Sequence, residues 1–551
     1  MKTTAQTTGL RYWMRRVLEE CDNVSASFSP GPVHDLRVAL RRCRSMADGM
    51  MAMDPDRDWK AMKRSGKELF QRLGALRDVQ IMMDWIEKLG VVGRAASPPA
   101  NVAEIVKEPV AAGAMPPAAE ASPAPGTALL HILQARETQH KHEARAALED
   151  FDRKQWRQWS KSLPQRAARI RPGSAVFEHL ALERWTTARA LHVRAMRTRS
   201  QVALHTLRIG IKRFRYIVEN FLPAEHRVWG NDLKHMQDLL GDVHDLDVLW
   251  ATALSSRIFP NAASRQLWRE QIERERSKRI EDYRKRTVGP DSLWNVWRAG
   301  MPQGKQIEAI ATRRMKLWAK ALDPDFAHSE RVARLALELY DGVVARGLFG
   351  PAMPDRSSHS NNGAGADSRA SLYVAALLHD VGKSKGDKGH HKESLALIKK
   401  HGVPLGWKPE TMARAALVAR FHCGTLPVRS HKLLRDLLPD EQKTVVRLAA
   451  VLRLANALDS AHDGHIRKLT IENAAASQKR RTKGFVRKPS TLGKNEALLV
   501  AAEGYSDGTP TAQSVAAERY LLETVLRRPV ILRPASGVRR PASGSQKTPA
   551  A

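Results

Sequence analysis

An adjacent histidine and aspartate, His379 and Asp380, end an apolar stretch that reads SLYVAALLHD. Imidazole nitrogens and carboxylate oxygens both bind divalent metals, but two adjacent side chains cannot hold an ion alone. Further ligands must therefore come from other helices. The candidates in the same part of the chain are His328, His390, His391, His422 and Asp459.

Mixed histidine and carboxylate ligation suits Mn²⁺, Mg²⁺, Fe²⁺ or Zn²⁺, and the sequence does not choose among them. We therefore predict one or two divalent ions as cofactor.

A second set of residues forms two basic stripes with the same spacing. The first stripe consists of His34, Arg37, Arg41 and Arg44. The second consists of His205, Arg208, Lys212 and Arg215. In a helix the four side chains of each stripe fall within about 80° of one another, opposite an apolar face. Each stripe therefore predicts an amphipathic helix with a cationic side.

The similarity between the two copies extends beyond the stripes. Lys67 aligns with Lys234, and Asp78 aligns with Asp245. Such a repeat predicts a pseudo-two-fold helical bundle in which both stripes line one groove. The alternative is a pair of solvated basic helix faces without a ligand.

The overall charge favours a polyanionic partner. Lysine and arginine total 91 against 58 acidic residues, which gives a net charge of +33. Nucleic acid, an anionic membrane and polyphosphate are all candidates. Nucleic acid is the less favoured one, because Phe214 and Tyr216 in the second stripe correspond to Cys43 and Ser45 in the first. No apolar run is long enough to cross a membrane.

The elements that position these residues are mainly α-helical. We predict a helical domain over 1–290, interrupted by an Ala/Pro-rich linker at 91–127, and a second helical domain over 305–465. Short alternating stretches predict a hairpin in a small α+β extension at 466–535, and 536–551 is predicted to be a disordered basic tail. Three cysteines without paired spacing fit a reduced, cytoplasmic protein.

Residues 7–288 resemble the CHAD domain, because both copies carry the histidine-led basic stripe followed by an L-G-x-x-x-D segment. The resemblance implies an all-helical fold that binds inorganic polyphosphate along its basic helices. The implied polyphosphate-binding residues are His34, Arg37, Arg41, Arg44, Lys67, His205, Arg208, Lys212, Arg215 and Lys234.

The H…HD…D pattern resembles the HD superfamily of metal-dependent phosphohydrolases. Residues 305–535 are similar to the C-terminal HD region of the exopolyphosphatase/guanosine pentaphosphatase family, although Glu393, Asn456 and Ser460 depart from its pattern. The actin-like domain that carries hydrolysis in that family has no counterpart in this sequence. The resemblance implies His391 or His390 for the second ion. It also implies Asp380 and Lys383 as catalytic residues, since Lys383 follows His379 by four residues and could reach a substrate phosphate. The predicted metal ligands are His328, His379, Asp380, His391, His422 and Asp459.

Three functions are compatible with these patterns. The first is a polyphosphate-binding protein whose HD site hydrolyses polyphosphate or a related phosphoanhydride. The second is a non-catalytic, granule-associated polyphosphate binder with a structural HD module. The third is a phosphohydrolase acting on (p)ppGpp or other nucleotides.

Overall fold

A computed structural model of the protein describes residues 9–90, 124–349, 363–472 and 496–535. The chain forms two compact units, Met1–Ile310 and Ala311–Ala551. The predicted mainly α fold is confirmed. The predicted tail and positions 91–123 of the predicted linker lie outside the described residues, whereas Pro125–Thr127 already belong to a helix. Within the described residues, no helix is long and apolar enough to span a membrane.

The first unit is built from helices alone in its described part. The helices are α1 (Leu10–Ala26), α2 (Pro30–Met50), α3 (Arg57–Lys88), α4 (Pro125–Glu149), α5 (Arg153–Ala167), α6 (Ala175–Thr198), α7 (Gln201–Phe221), α8 (Pro223–Ser255), α9 (Ala262–Thr287) and α10 (Leu293–Ala299). The next helix, α11 (Lys305–Leu322), contains the boundary between the two units.

Packing in this unit repeats in the order of the chain. Helix α1 packs on α2 as α6 packs on α7, and α3 packs on α4 as α8 packs on α9. The two copies meet where α2 contacts α7 and α3 contacts α8. The helices that carry the two basic stripes are therefore direct neighbours.

The apolar faces of α2 and α7 explain why these segments are helical. Leu36, Leu40 and Cys43 are fully buried on α2, and Leu207 and Ile211 are fully buried on α7. Burying one leucine or isoleucine side chain contributes about 1.5–3 kcal/mol to the folding free energy. The apolar faces therefore stabilise the packing of α2 and α7 against neighbouring helices. The basic stripes on the opposite faces stay partly exposed.

The second unit contains further helices and a small sheet. The helices after α11 are α12 (Phe326–Val344), α13 (Gly363–Leu378), α14 (His390–His401), α15 (Pro409–Arg420), α16 (Pro439–Leu458), α17 (Pro510–Glu518) and α18 (Tyr520–Leu526). A 3₁₀ helix, Val381–Lys385, follows α13. Helices α12, α13, α15 and α16 pack around one apolar core.

The sheet has the order β1 (Lys468–Glu472), β2 (Leu498–Glu503), β3 (Val530–Pro534). β1 and β2 pair antiparallel, as the alternating stretches predict, and β3 adds a parallel strand that the sequence pattern did not predict. The segment AAERYLLETVL belongs to two helices, α17 and α18. Helix α17 begins at Pro510, where the Thr509 side chain caps it by accepting from the Ala512 amide.

Candidate metal centre and cationic surface

The His379–Asp380 pair lies where the buried helix α13 ends and the 3₁₀ helix begins. The Ser394 hydroxyl on α14 ties this junction, because it donates to the His379 carbonyl oxygen over 2.6 Å and accepts from the Gly382 amide over 2.9 Å. Helix α14 therefore starts directly against the pair and brings His390 towards it. His422 arrives from the segment after α15.

Three histidines are oriented by backbone carbonyls. Nδ1 of His379, His390 and His422 lies 2.7–2.8 Å from the carbonyl oxygens of Ala376, Asp387 and Ala419, respectively. A carbonyl oxygen can only accept, so each ring carries its proton on Nδ1 and, when neutral, a lone pair on Nε2. This arrangement is typical of metal-ligating histidines.

The Nε2 atoms converge around Asp380. His390 Nε2 lies 3.0 Å from His422 Nε2, and Asp380 Oδ1 lies 3.3 and 3.6 Å from these two atoms. His379 Nε2 is buried, has no hydrogen-bond partner among the described residues, and lies 3.5 Å from Asp380 Oδ2. Facing lone pairs repel unless a cation lies between them. The donor set therefore fits a divalent metal.

Electrostatics keep these groups in the protonation states that metal binding needs. Burial lowers the pKa of both His379 and His422, so their rings are neutral at pH 7. Burial alone would raise the pKa of Asp380, but His379, His422 and Lys383 outweigh it and hold that pKa well below its ordinary value. Lys383 Nζ lies 2.5 Å from Asp380 Oδ2.

The predicted ligands His328 and Asp459 are in contact with each other. His328 Nδ1 lies 2.7 Å from Asp459 Oδ2, and Arg331 Nε lies 3.0 and 2.9 Å from the two carboxylate oxygens. His328 Nε2 lies 2.9 Å from the Asn456 side-chain oxygen. His328, His379 and Asp380 nevertheless offer ligand atoms within 4.8 Å of one another. The Asp459 carboxylate is thus already in contact with Arg331 and His328.

The structure brings His390 rather than His391 against Asp380 and His422. His391 Nδ1 instead lies 3.4 Å from the Sγ of Cys423, which sequence reasoning did not select. His390, His422 and Cys423 offer ligand atoms within 4.8 Å of one another. The sequence signal for Cys423 was its position directly after His422.

Gly382 allows α14 to approach the His379–Asp380 junction. A Cβ at this position would lie against the backbone carbonyl oxygen of His390 and 2.6 Å from the Ser394 amide nitrogen. Gly382→Ala is expected to displace α14, to destabilise the protein by about 1–3 kcal/mol and to weaken metal binding. Chemical denaturation and metal stoichiometry measure both effects. Gly241→Ala, which meets open space on α8, is the control and should not destabilise.

The two basic stripes form a shared cationic surface where α2 meets α7. Arg37, Arg41 and Arg208 are among the charges that lower the pKa of Lys212 to about 7, after burial as the main cause. Nη1 of Arg37 and Nε of Arg41 and Arg215 are buried without a hydrogen-bond partner among the described residues. The surface therefore holds N–H donors that an anion could satisfy.

Glycine at position 74 makes room for this surface. A Cβ there would lie 2.6 Å from Arg37 Nη1, so a larger side chain would push the guanidinium away. The guanidinium groups of this surface lie over the faces of aromatic rings. Arg37 and Arg44 cover Phe70, with guanidinium carbons 4.9 and 4.7 Å from the ring centroid. Arg41 covers Tyr216 in the same way, at 5.8 Å.

The other residues predicted to bind polyphosphate lie on the helices α2, α3, α7 and α8. His34 is exposed as a whole residue, but its ring is partly surrounded by protein. This partial burial, together with the charges of Arg77 and Arg41, lowers the pKa of the ring. His205 Nδ1 lies 3.3 Å from His244 Nδ1. Lys67 and Lys234 are exposed, on α3 and α8. Arg77, which sequence reasoning did not select, is one of the charges that lower the pKa of Arg37.

The lowered pKa of Lys212 leads us to expect that anion binding depends on pH. Its pKa falls from 10.5 in the unfolded chain to about 7 in the fold, so unfolding free energy should rise with pH between these values. A bound polyanion favours the charged amine, so binding takes up protons and affinity should fall from pH 7 to pH 9. Lys212→Arg stays charged and should flatten this fall, as measured by polyphosphate titrations at constant ionic strength. Parallel profiles for the two proteins would contradict the prediction.

The first unit thus presents two cationic helical repeats, and the second contains a buried group of histidine and aspartate side chains. Residues 9–254 match the family model of the CHAD domain, and residues 311–501 match that of the Ppx/GppA phosphatase, domain III. These two matches confirm the resemblance found in the sequence. No curated protein matches the chain significantly.

Proposed function

We propose that this protein binds inorganic polyphosphate on its CHAD domain and hydrolyses phosphoanhydride bonds at the histidine–aspartate centre of its second domain. The observation that carries the proposal is the convergence of His390 Nε2, His422 Nε2 and Asp380 Oδ1 within 3.0–3.6 Å. We take residues 1–290 as the binding domain of a cytoplasmic protein, residues 305–465 as its phosphohydrolase domain, and residues 466–535 as a small extension of the latter.

The cationic surface supports polyphosphate as the ligand. Polyphosphate carries about one charge per phosphorus and has no bases, so it needs charge-assisted hydrogen bonds but no stacking platforms. Arg37 and Arg41 supply buried donors without partners among the described residues. Phe70 and Tyr216 are covered by guanidinium groups, so they do not offer free faces to nucleic-acid bases.

The histidine–aspartate centre supports hydrolysis. A divalent ion held there would offset charge on a phosphoryl oxygen and make water a better nucleophile at neutral pH. His379, His390 and His422 present lone pairs, and Asp380 presents both carboxylate oxygens. Lys383 lies beside Asp380 and is partly exposed, so its amine can shift to a substrate phosphate.

A second candidate function is polyphosphate binding without hydrolysis. It is favoured by the contacts of Asp459, whose carboxylate is already paired with Arg331 and His328. In that case the second domain would be a structural module, and the contacts with Arg331 and His328 would neutralise the Asp459 carboxylate without a metal ion.

Phosphate release from long-chain polyphosphate tests the proposal. The full-length protein is stripped with a chelator, reconstituted with Mn²⁺, Mg²⁺ or Zn²⁺, and assayed beside a salt-dependent binding titration. Metal-dependent release supports the proposed function. Tight, salt-sensitive binding without release under any metal supports the non-catalytic candidate. Release from ppGpp or deoxynucleotides but not from polyphosphate would move the activity to the nucleotide alternative.

A further inference from the structure

We propose that Cys423 is a metal ligand, and that its thiolate completes a four-coordinate site with His390, His422 and Asp380 that selects Zn²⁺ over Mg²⁺ and Mn²⁺. The inference deepens the proposed function, since it rests on the same metal centre. It assigns a ligand and a metal preference that the histidine–aspartate pattern does not contain.

Four of the six distances between these donor atoms are close to those of a tetrahedral metal site, and Cys423 Sγ also lies within 4.8 Å of a ring nitrogen of His422. Zinc–nitrogen bonds of about 2.0–2.1 Å and zinc–sulfur bonds of about 2.3 Å place tetrahedral ligands about 3.4–3.6 Å apart. His390 Nε2 lies 3.0 Å from His422 Nε2, 3.3 Å from Asp380 Oδ1 and 3.8 Å from Cys423 Sγ. Asp380 Oδ1 lies 3.6 Å from His422 Nε2. Each separation is within about 0.4 Å of a tetrahedral edge.

Two imidazoles point unprotonated nitrogens into this space. Nδ1 of His390 and Nδ1 of His422 each donate to a backbone carbonyl, so the two facing Nε2 atoms cannot both hold a proton without charging a ring. His422 is only 2% exposed. Its neighbour His379 is fully buried, and its Nε2 also has no partner among the described residues. These observations call for a cation independently of the cysteine.

The turn that carries Cys423 is held firmly in place. Arg453 on α16 donates to the carbonyl oxygens of Phe421 and Gly424 over 3.1–3.3 Å, on both sides of the cysteine. Glu518 on α17 fixes the same guanidinium over 2.7 Å. His391 Nδ1, 3.4 Å from Sγ, can donate to a bound thiolate as an outer-shell partner. The sulfur is therefore positioned before any ion arrives.

A thiolate changes which ion the site prefers. Soft sulfur ligands select zinc and other thiophilic ions, whereas Mg²⁺ and Mn²⁺ prefer oxygen donors. The neighbouring group of His328, His379 and Asp380 has no sulfur. Asp380 presents Oδ1 to His390 and His422, and Oδ2 to His379. One carboxylate could therefore serve both the zinc site with Cys423 and a neighbouring site without sulfur that prefers another metal.

Cobalt spectroscopy tests the assignment without substrate. Metal-free, full-length protein is titrated with Co²⁺, and thiolate ligation is expected to give a sulfur-to-cobalt charge-transfer band that Zn²⁺ removes. Cys423→Ser should abolish the band and weaken Zn²⁺ binding at least tenfold, whereas Cys423→His should keep an ion but lose the band. Cys21→Ala, which removes a buried thiol of the first unit, is the matched control and should keep the band.

Alkylation supplies a measurement on the unaltered protein. Cys21 and Cys43 are buried and Cys423 is partly exposed, so iodoacetamide should label Cys423 selectively in the metal-free protein. Zn²⁺ should protect it, and Mg²⁺ should not. A charge-transfer band that survives Cys423→Ser, or equal labelling with and without Zn²⁺, would overturn the assignment even if polyphosphate is hydrolysed. A cysteine-dependent band in a protein that releases no phosphate would overturn only the proposed hydrolysis.

Discussion

Asp380→Asn is expected to lower metal-dependent phosphate release at least about 100-fold while polyphosphate affinity stays within about twofold. Asp380 is the only carboxylate among the described residues that contacts His379, His390 and His422 together. Loss of outer-shell partners alone costs metal sites about 10–100-fold, so loss of this shared ligand costs at least as much. Steady-state phosphate release and a separate binding titration measure the two quantities.

Asp387→Asn is the matched control for this prediction. It makes the same change of charge in the same loop, on an exposed side chain whose backbone carbonyl still accepts from His390. Release by Asp387→Asn should stay within about twofold of the wild type. Equal loss in both variants would show that general loop electrostatics, not ligation by Asp380, controls release.

The second large effect concerns binding. Arg37→Ala combined with Arg208→Ala should weaken polyphosphate binding at least about 100-fold, because each charge-assisted hydrogen bond contributes about 1.5–3 kcal/mol. The two guanidinium groups occupy corresponding positions on α2 and α7 and interact with each other. The slope of affinity against salt concentration should also fall, since fewer counterions are released.

A charge-matched control separates the cationic surface from the total charge. Arg15→Ala combined with Arg213→Ala removes two exposed arginines from the same domain. This control should bind nearly as well as the wild type. Similar affinity losses in both variants would favour a diffuse basic surface.

Helical periodicity predicts α2 and α7 well because one face of each helix is fully apolar and the other is cationic. The contact between the two stripes follows from the repeat, since equivalent helices of a two-fold bundle meet at the axis. The parallel strand β3 is harder to predict, because its five residues pair with a strand about 30 positions away. Periodicity within a short segment contains no information on such a partner.

The sequence predicts which residue types form the candidate site, but not which side chains each of them contacts. Adjacent His390 and His391 look equivalent in the sequence, and only the entry angle of α14 separates them. Asp459 has the spacing of a ligand, yet its contact with Arg331 depends on how α12 and α16 pack. Cys423 becomes a candidate only when the turn after α15 brings its sulfur beside His390. Whether these groups hold metal stays a prediction.

The repeat in the first unit also bears on the direction of the bound chain. Arg37 and Arg41 on α2 correspond to Arg208 and Lys212 on α7, so the cationic surface presents similar donors in the same order from either end. A nucleic-acid strand has distinct 5′ and 3′ ends, so it cannot share the two-fold symmetry of such a surface. Linear polyphosphate is identical in both directions. Under the proposed function, the ligand therefore shares the approximate two-fold symmetry of the cationic surface, and reversal of the chain leaves its contacts unchanged.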